Sequence, residues 1–346
     1  MKPGPTRVLV GLALLLPLVM AWAAGVGSSG LGFGDLGRAL AEALGLAAPT
    51  LDPVDRAILL GVRLSRVTLA ALVGGGLACA GVVFQGILLN PLADPYTVGV
   101  SSGAALGASL AILGGLGGYT AWGLGLLPLC AFAGALAALA AVHMLASSRD
   151  FGSGNTLILA GIVVSTTLSA GISLIKSLNE DSVSSIVFWI LGSFSGRGWG
   201  HVAFSAPYVA AGVAGAVWLG RDLDLLALGD ESARQMGVEA AAVRRWLLVL
   251  ASVVTGACVA VSGVIGFVGL VVPHLLRMVL GPGHRRLLVG SFLAGAVLLV
   301  LADTLARTVL PGGEELPVGV VTALLGGPFF CYLLRWDPVS RGAGEP

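Results

Sequence analysis

Long apolar stretches, punctuated by short polar or proline-bearing turns, run through almost the whole of this 346-residue chain. About 27 consecutive residues from Val67 to Ala93 carry no charge, and about 20 apolar residues suffice to cross a bilayer. The run breaks at Asn90-Pro91 and Asp94-Pro95 and resumes at once. Between Tyr96 and Ser148 there is no Asp, Glu, Lys or Arg, which is room for two crossings, and the tract Gly114–Gly118 supplies the turn between them. The run from Trp246 to Leu276 is also too long for one span, with breaks expected at Ser262-Gly263 and near Pro273. The pattern predicts ten helices, at 8–28, 67–89, 96–114, 124–146, 155–175, 203–220, 246–263, 267–280, 287–307 and 316–335. The fold class is therefore an all-α polytopic membrane protein, with one transmembrane domain over 1–346. A weak internal repeat relates about 67–175 to 246–335. LVGGGLACAGVVFQGILLNP (72–91) echoes VVTGACVAVSGVIGFVGLVVP (253–273), and the two helices run in opposite directions through the membrane, an inverted arrangement that places a pathway between halves.

Composition sharpens this picture. Hydrophobic residues make up 56% and charged residues 11%, against roughly a quarter charged in soluble domains. The 53 glycines suit close helix contacts in lipid rather than flexible loops in water. A net charge of +1 gives no sign of a nucleic-acid partner. The four cysteines, far apart and inside apolar segments, suggest neither a disulfide framework nor a metal cluster. Lys2 and Arg7 ahead of VLVGLALLLPLVMAWAAG resemble a signal peptide; the uncharged run continuing to Gly34 favours a retained first span. With the N-terminus inside and ten spans, inward segments hold twelve of the 19 Lys and Arg residues, so both termini are expected in the cytoplasm.

Candidate chemistry is sparse. Asp303 lies four residues before Arg307 on one helical face, a spacing that reads as an ion pair near a span end rather than a proton relay. His143 and His274 read as packing residues. No P-loop is present, because neither Lys2 nor Lys176 follows a glycine. No cofactor is expected on this chain, and any ATP and Mg would sit on a separate ATPase. The loop 221–245, RDLDLLALGDESARQMGVEAAAVRR, concentrates charge. Gly229-Asp230 caps a short helix over Glu231–Met236, Gly237 ends it, and Val238–Arg245 leads into the seventh span. Such a loop suits a socket in a soluble partner, or simply a solvated surface. At the opposite face Arg63, Arg66 and Arg307 form a rim that could receive carboxylates or snorkel as anchors. The alternative class, a stand-alone ion-coupled secondary transporter, needs an ionisable group in mid-membrane.

The blocks RLSR (63–66), QGILLNPLADPYTVGVSSGAALGA (85–108), LILAGI (157–162), VFWILGSFSG (187–196), LGDESARQMGV (228–238), GFVGLVVPHLLR (266–277), ADTLART (302–308) and ELPVGVVTALLGGPFF (315–330) occur in this order. Together they resemble the FecCD-like permease subunits of type II ABC importers, from about Val54 to Trp336. That family carries iron–siderophores, haem and cobalamin across the bacterial or archaeal inner membrane. The resemblance implies a permease of ten helices that pairs with a second copy, binds a cytoplasmic ABC ATPase dimer and receives ligand from an extracytoplasmic substrate-binding protein. It assigns Asp230, Ala233, Arg234 and Gly237 to ATPase coupling, and Arg63, Arg66 and Arg307 to docking of the binding protein. It places the passage along helices five, eight and ten, with Asn155 in the turn Ser147–Asn155 and Gly263, Gly266 and Gly269 as pathway or gate candidates.

Overall fold

Seven helices among the described residues are long and apolar enough to span a membrane, and three shorter apolar helices accompany them. These ten match the expected spans in order. The computed structural model describes residues 4–27, 30–121, 124–147 and 154–336. At the centre stands α4 (Leu64–Ile87), preceded by α2 (Phe33–Ala43), the short α3 (Pro53–Arg56) and a π-helical turn, Ala57–Arg63. Nearly every residue of α4 is buried, because it is enclosed by α14 (His284–Thr308), α12 (Ala240–Ser262), α13 (Val268–Leu280) and α9 (Trp199–Trp218). Small residues allow this enclosure. A Cβ on Gly74 would strike the Gly295 carbonyl, and one on Gly295 would strike the Gly74 carbonyl. The same reciprocal contact at Gly103 and Gly134 joins α5 (Val100–Leu113) to α6 (Leu126–Ser147). In lipid, where no hydrophobic force drives helices together, such backbone proximity supplies the packing.

At one end of the bundle lie the loop 221–245 and the start of α12. The opposite end holds Arg63, Arg66 and Arg307. Arg66 and Gly86 on α4 are 20 residues apart, or about 30 Å. The helix α1 (Pro5–Gly25) finishes at the arginine end, and α15 (Val318–Trp336) finishes at the loop end, so both described chain ends lie with the loop.

Two features depart from the sequence pattern. After α7 (Gly154–Leu178) the chain does not simply return. The helix α8 (Glu180–Leu191), capped by Asn179 Oδ1 accepting from Ser182 N at 3.2 Å, folds back into the bundle and ends at Gly192. Second, Pro273 lies inside α13 rather than at a break. A proline lacks the N–H that would bond the carbonyl four residues earlier. That carbonyl, Gly269 O, instead accepts from Gln85 Nε2 at 3.4 Å, so the helix continues.

Candidate functional site

The break after Ser262 lies at mid-depth. Gly76 is the middle of α4, and a Cβ there would lie 2.8 Å from Cys258 Sγ. Ser262 is four residues further along α12, about 6 Å past that level. The chain then runs unwound from Gly263 to Phe267 before α13 begins. A Cβ at Gly81, about 7.5 Å to the other side of Gly76, would strike the Gly269 carbonyl. The unwound segment therefore crosses the centre of the bundle. Irregular backbone at membrane depth is tolerated only where its polar groups are satisfied or line a cavity, and here the partners can be named. Ser262 O accepts from Ser193 N at 2.8 Å, Gly263 O from Ser262 Oγ at 3.0 Å, and Ile265 N donates to Tyr96 Oη at 3.0 Å while the Tyr96 hydroxyl donates back to Ile265 O. Gly192 O accepts from Gly319 N at 3.5 Å.

Three interrupted helices thus meet at one place: the tip of α8, the α12–α13 break and the first turn of α15. Their approach demands glycine. A Cβ on Gly263, which has φ +72°, would strike the Trp189 carbonyl, and one on Gly319 would strike the Leu191 carbonyl. Phe267 has φ +68°, a strained conformation for a bulky residue, and opens α13. Two cavities flank the junction. One, of about 600 Å³, is lined by Trp189, Ser193, Ser195, Arg197, Ser262 and Glu315 among others. The second, of about 320 Å³, has walls that include Tyr96, Ser101, Ser173, Lys176, Ile190 and Val264.

Of the expected pathway positions, Gly263, Gly266 and Gly269 fall at this junction. Gly263 forms the turn, Gly266 faces open space with Tyr96 at 4.0 Å, and Gly269 packs on Pro95 at 2.7 Å from a would-be Cβ. Asn155 does not join them. Its backbone opens α7 toward the loop end, and its side chain, like residues 148–153 of the Ser147–Asn155 turn, lies outside the described residues. Tyr96 and Ser193, which hold the junction, were not singled out from the sequence. Only their presence in the quoted blocks marked them.

The loop 221–245 folds as α10 (Gly220–Leu226) and α11 (Asp230–Gln235), and Gly237 (φ +83°) ends the second of these. Asp230 accepts from Arg244 Nη2 at 2.7 Å and Nη1 at 3.2 Å, which clamps α11 to the start of α12. Asp224 accepts from the backbone of His284 at 2.9 Å and ties α10 to α14. Arg285 caps α9 through the carbonyls of Val217 and Trp218. Ala233 is fully buried and seats α11, whereas Leu228, Arg234, Met236 and Gly237 are exposed. The four residues assigned to coupling therefore divide into two that fix the helix, Asp230 and Ala233, and two at its surface.

The three arginines at the other end do come together, and all are occupied within the protomer. Arg63, 6% exposed, donates to the carbonyls of Ala24 and Leu31 at 3.3 and 3.1 Å. Arg307 donates to those of Ala23 and Val26. Both thereby satisfy carbonyls at the end of α1 that have no partner within the helix. Arg66 makes two carboxylate pairs. Its Nε and Nη2 grip Asp303 at 2.8–3.2 Å, and its Nη1 holds both oxygens of Glu315 at 2.8 and 2.9 Å. The closer partner of Asp303 is therefore Arg66; Arg307 Nε stands 3.9 Å away. A cavity of about 180 Å³ opens among Gly27, Val62, Arg63, Arg66, Arg307 and Glu315.

Known proteins resemble this chain in sequence and in fold. A profile of the FecCD transport family matches residues 14–336. The cobalamin import system permease protein BtuC of Halobacterium salinarum is 44% identical over 274 residues, covering 79% of this chain and 72% of that protein. The hemin transport system permease protein HmuU of Yersinia pestis is 39% identical over 336 residues, 95% of each chain. A solved structure described as an inward-facing conformation of a metal-chelate type ABC transporter superposes with a TM-score of 0.81 at 35% identity, covering 95% of this chain and 99% of that one. With agreement in sequence and in fold over nearly its whole length, this chain belongs to the FecCD transport family and is a transmembrane permease of the ABC type.

Proposed function

We propose that the chain is the permease subunit of an ATP-driven, binding-protein-dependent importer that moves an iron–siderophore, haem or cobalamin-type ligand into the cytoplasm by alternating access. The observation that carries this reading is the α10–α11 platform. It exposes Arg234 and Met236, yet it is fastened to α12 through the Asp230–Arg244 pair and to α14 through Asp224 and His284. A push on the platform by a cytoplasmic ATPase dimer reaches α12 directly, and α12 ends at the mid-depth junction. The junction is the natural gate, since its three helix ends meet through a few bonds rather than continuous backbone. ATP and Mg act on the ATPase. The loop end and both termini face the cytoplasm in this reading.

At the other end, Arg63, Arg66 and Arg307 receive acidic side chains from a substrate-binding protein. A second permease copy completes the passage, to which each protomer contributes its junction and the serine-lined cavity of about 600 Å³. The binding protein, rather than this conduit, selects the ligand.

The test is a mild-detergent pull-down of the tagged chain from its native membranes, with co-purifying proteins identified by mass spectrometry. An ATPase at near-equal stoichiometry supports the importer. A chain recovered alone, with uptake driven by an ion gradient, overturns it.

A further inference from the structure

The Arg66 guanidinium leaves no easy place for an incoming carboxylate. Asp303 takes Nε and Nη2, and Glu315 takes Nη1 with both of its oxygens. The two carboxylates differ in how firmly they are held. The Asp303 side chain is 2% exposed and is gripped by two nitrogens, whereas that of Glu315 is 31% exposed and borders the cavity that opens among the arginines. Three guanidiniums face two carboxylates there, so the cluster keeps an excess positive charge that attracts an acidic side chain. Any such group that reaches Arg66 through the cavity competes with Glu315 and not with Asp303.

Glu315 also has somewhere to go. It lines the cavity of about 600 Å³ as well, together with Arg197. Among the described residues Arg197 has no carboxylate partner, and the only side-chain contact shown for it is His201 at 3.4 Å. A displaced Glu315 thus stays in polar, cationic surroundings. It stands three residues before α15, whose second residue, Gly319, is the one bonded to Gly192 at the mid-depth junction.

We infer that Glu315 holds within the chain the place that an acidic side chain of the substrate-binding protein takes on docking, so that docking is an exchange of carboxylates on Arg66 that loosens the start of α15. This rests on the docking reading above and makes Glu315 the positioning residue that carries docking to the gate.

The test uses the whole transporter in lipid nanodiscs and the binding protein that co-purifies with it. Affinity is measured for the native protein, Arg63→Gln, Arg307→Gln and Glu315→Gln, each first shown to assemble by size-exclusion chromatography. The arginine variants weaken binding tenfold or more, whereas Glu315→Gln, which removes the internal competitor, tightens it about fivefold. Hydrogen exchange at residues 316–321 speeds up when binding protein is added to the native complex, and in Glu315→Gln it is already fast beforehand. If Glu315→Gln does not assemble, Glu315→Asp replaces it, with a smaller tightening expected and the same control variants. Weakening by the arginine variants without tightening at position 315 overturns the exchange and leaves the docking reading standing. Unchanged affinity in the arginine variants overturns the docking reading itself.

Discussion

Arg244 is almost wholly buried, and its two bonds to Asp230 are what hold α11 against α12. Arg244→Gln removes a buried cation from a partner that is itself a third exposed. The stability loss should sit at the low end for buried pairs, about 3 kcal/mol. Recovery of the ATPase in a pull-down should fall with it, while Arg234→Ala should lower recovery without a shift in melting temperature. Asp94 offers a second residue-level test. It caps the turn Pro95–Val98 by accepting from Tyr96 N at 3.0 Å, and burial pushes its carboxyl up to about 6. A carboxyl raised in the folded state favours the neutral form, so stability falls as pH rises from about 4 through about 6 and stays lower above. Asp94→Asn keeps the capping acceptor and removes the charge. At pH 7.5 it should melt a few degrees above the native protein, a gain of about 1–2 kcal/mol, and the difference should vanish near pH 4. Thermal unfolding in detergent at both pH values checks this.

Among the helices, the mid-depth junction is the element most exposed to a single change. Tyr96→Phe leaves the ring packed but strips Ile265 N and O of the hydroxyl that joins them, a loss of about 1–3 kcal/mol for buried groups left unpaired. Uptake in proteoliposomes should drop by more than the yield of assembled complex. The seven long spans were legible because uncharged apolar runs of about 20 residues read as membrane crossings, the three shorter apolar helices from the breaks that divide longer uncharged runs, and the loop helix α11 from Gly229, Asp230 and Gly237. The helix α8 was not. Its twelve residues, EDSVSSIVFWIL, mix polar and apolar positions and are too short for a span, so nothing local says that it turns back into the bundle. The break at Ser262-Gly263 was readable from small residues, whereas Pro273 misled, because Gln85 on a distant helix takes over the carbonyl that proline frees. Likewise the spacing of Asp303 and Arg307 suggested a local pair, but the stronger partner, Arg66, comes from 237 residues away. Pairings of that reach leave no trace in local pattern.

At the scale of the molecule, the two ends carry different work, and their sidedness can be measured. A cysteine at Arg234 in a Cys331→Ser background should escape an impermeant maleimide in intact cells and react in inverted vesicles; the opposite result would reverse the orientation. The long reach of Arg66 also bears on how the protein is made. Its two carboxylates lie 237 and 249 residues further along the chain. At roughly 5–20 residues per second of synthesis, the first arrives only after some ten to fifty seconds. Until then α4 must sit in lipid or in the insertion machinery with its arginine unneutralised, its glycine faces uncovered and α14 not yet translated. The helix that ends as the most enclosed in the bundle therefore begins with its chief partner not yet made, and its uncharged run from Val67 to Ala93 is what lets it wait there.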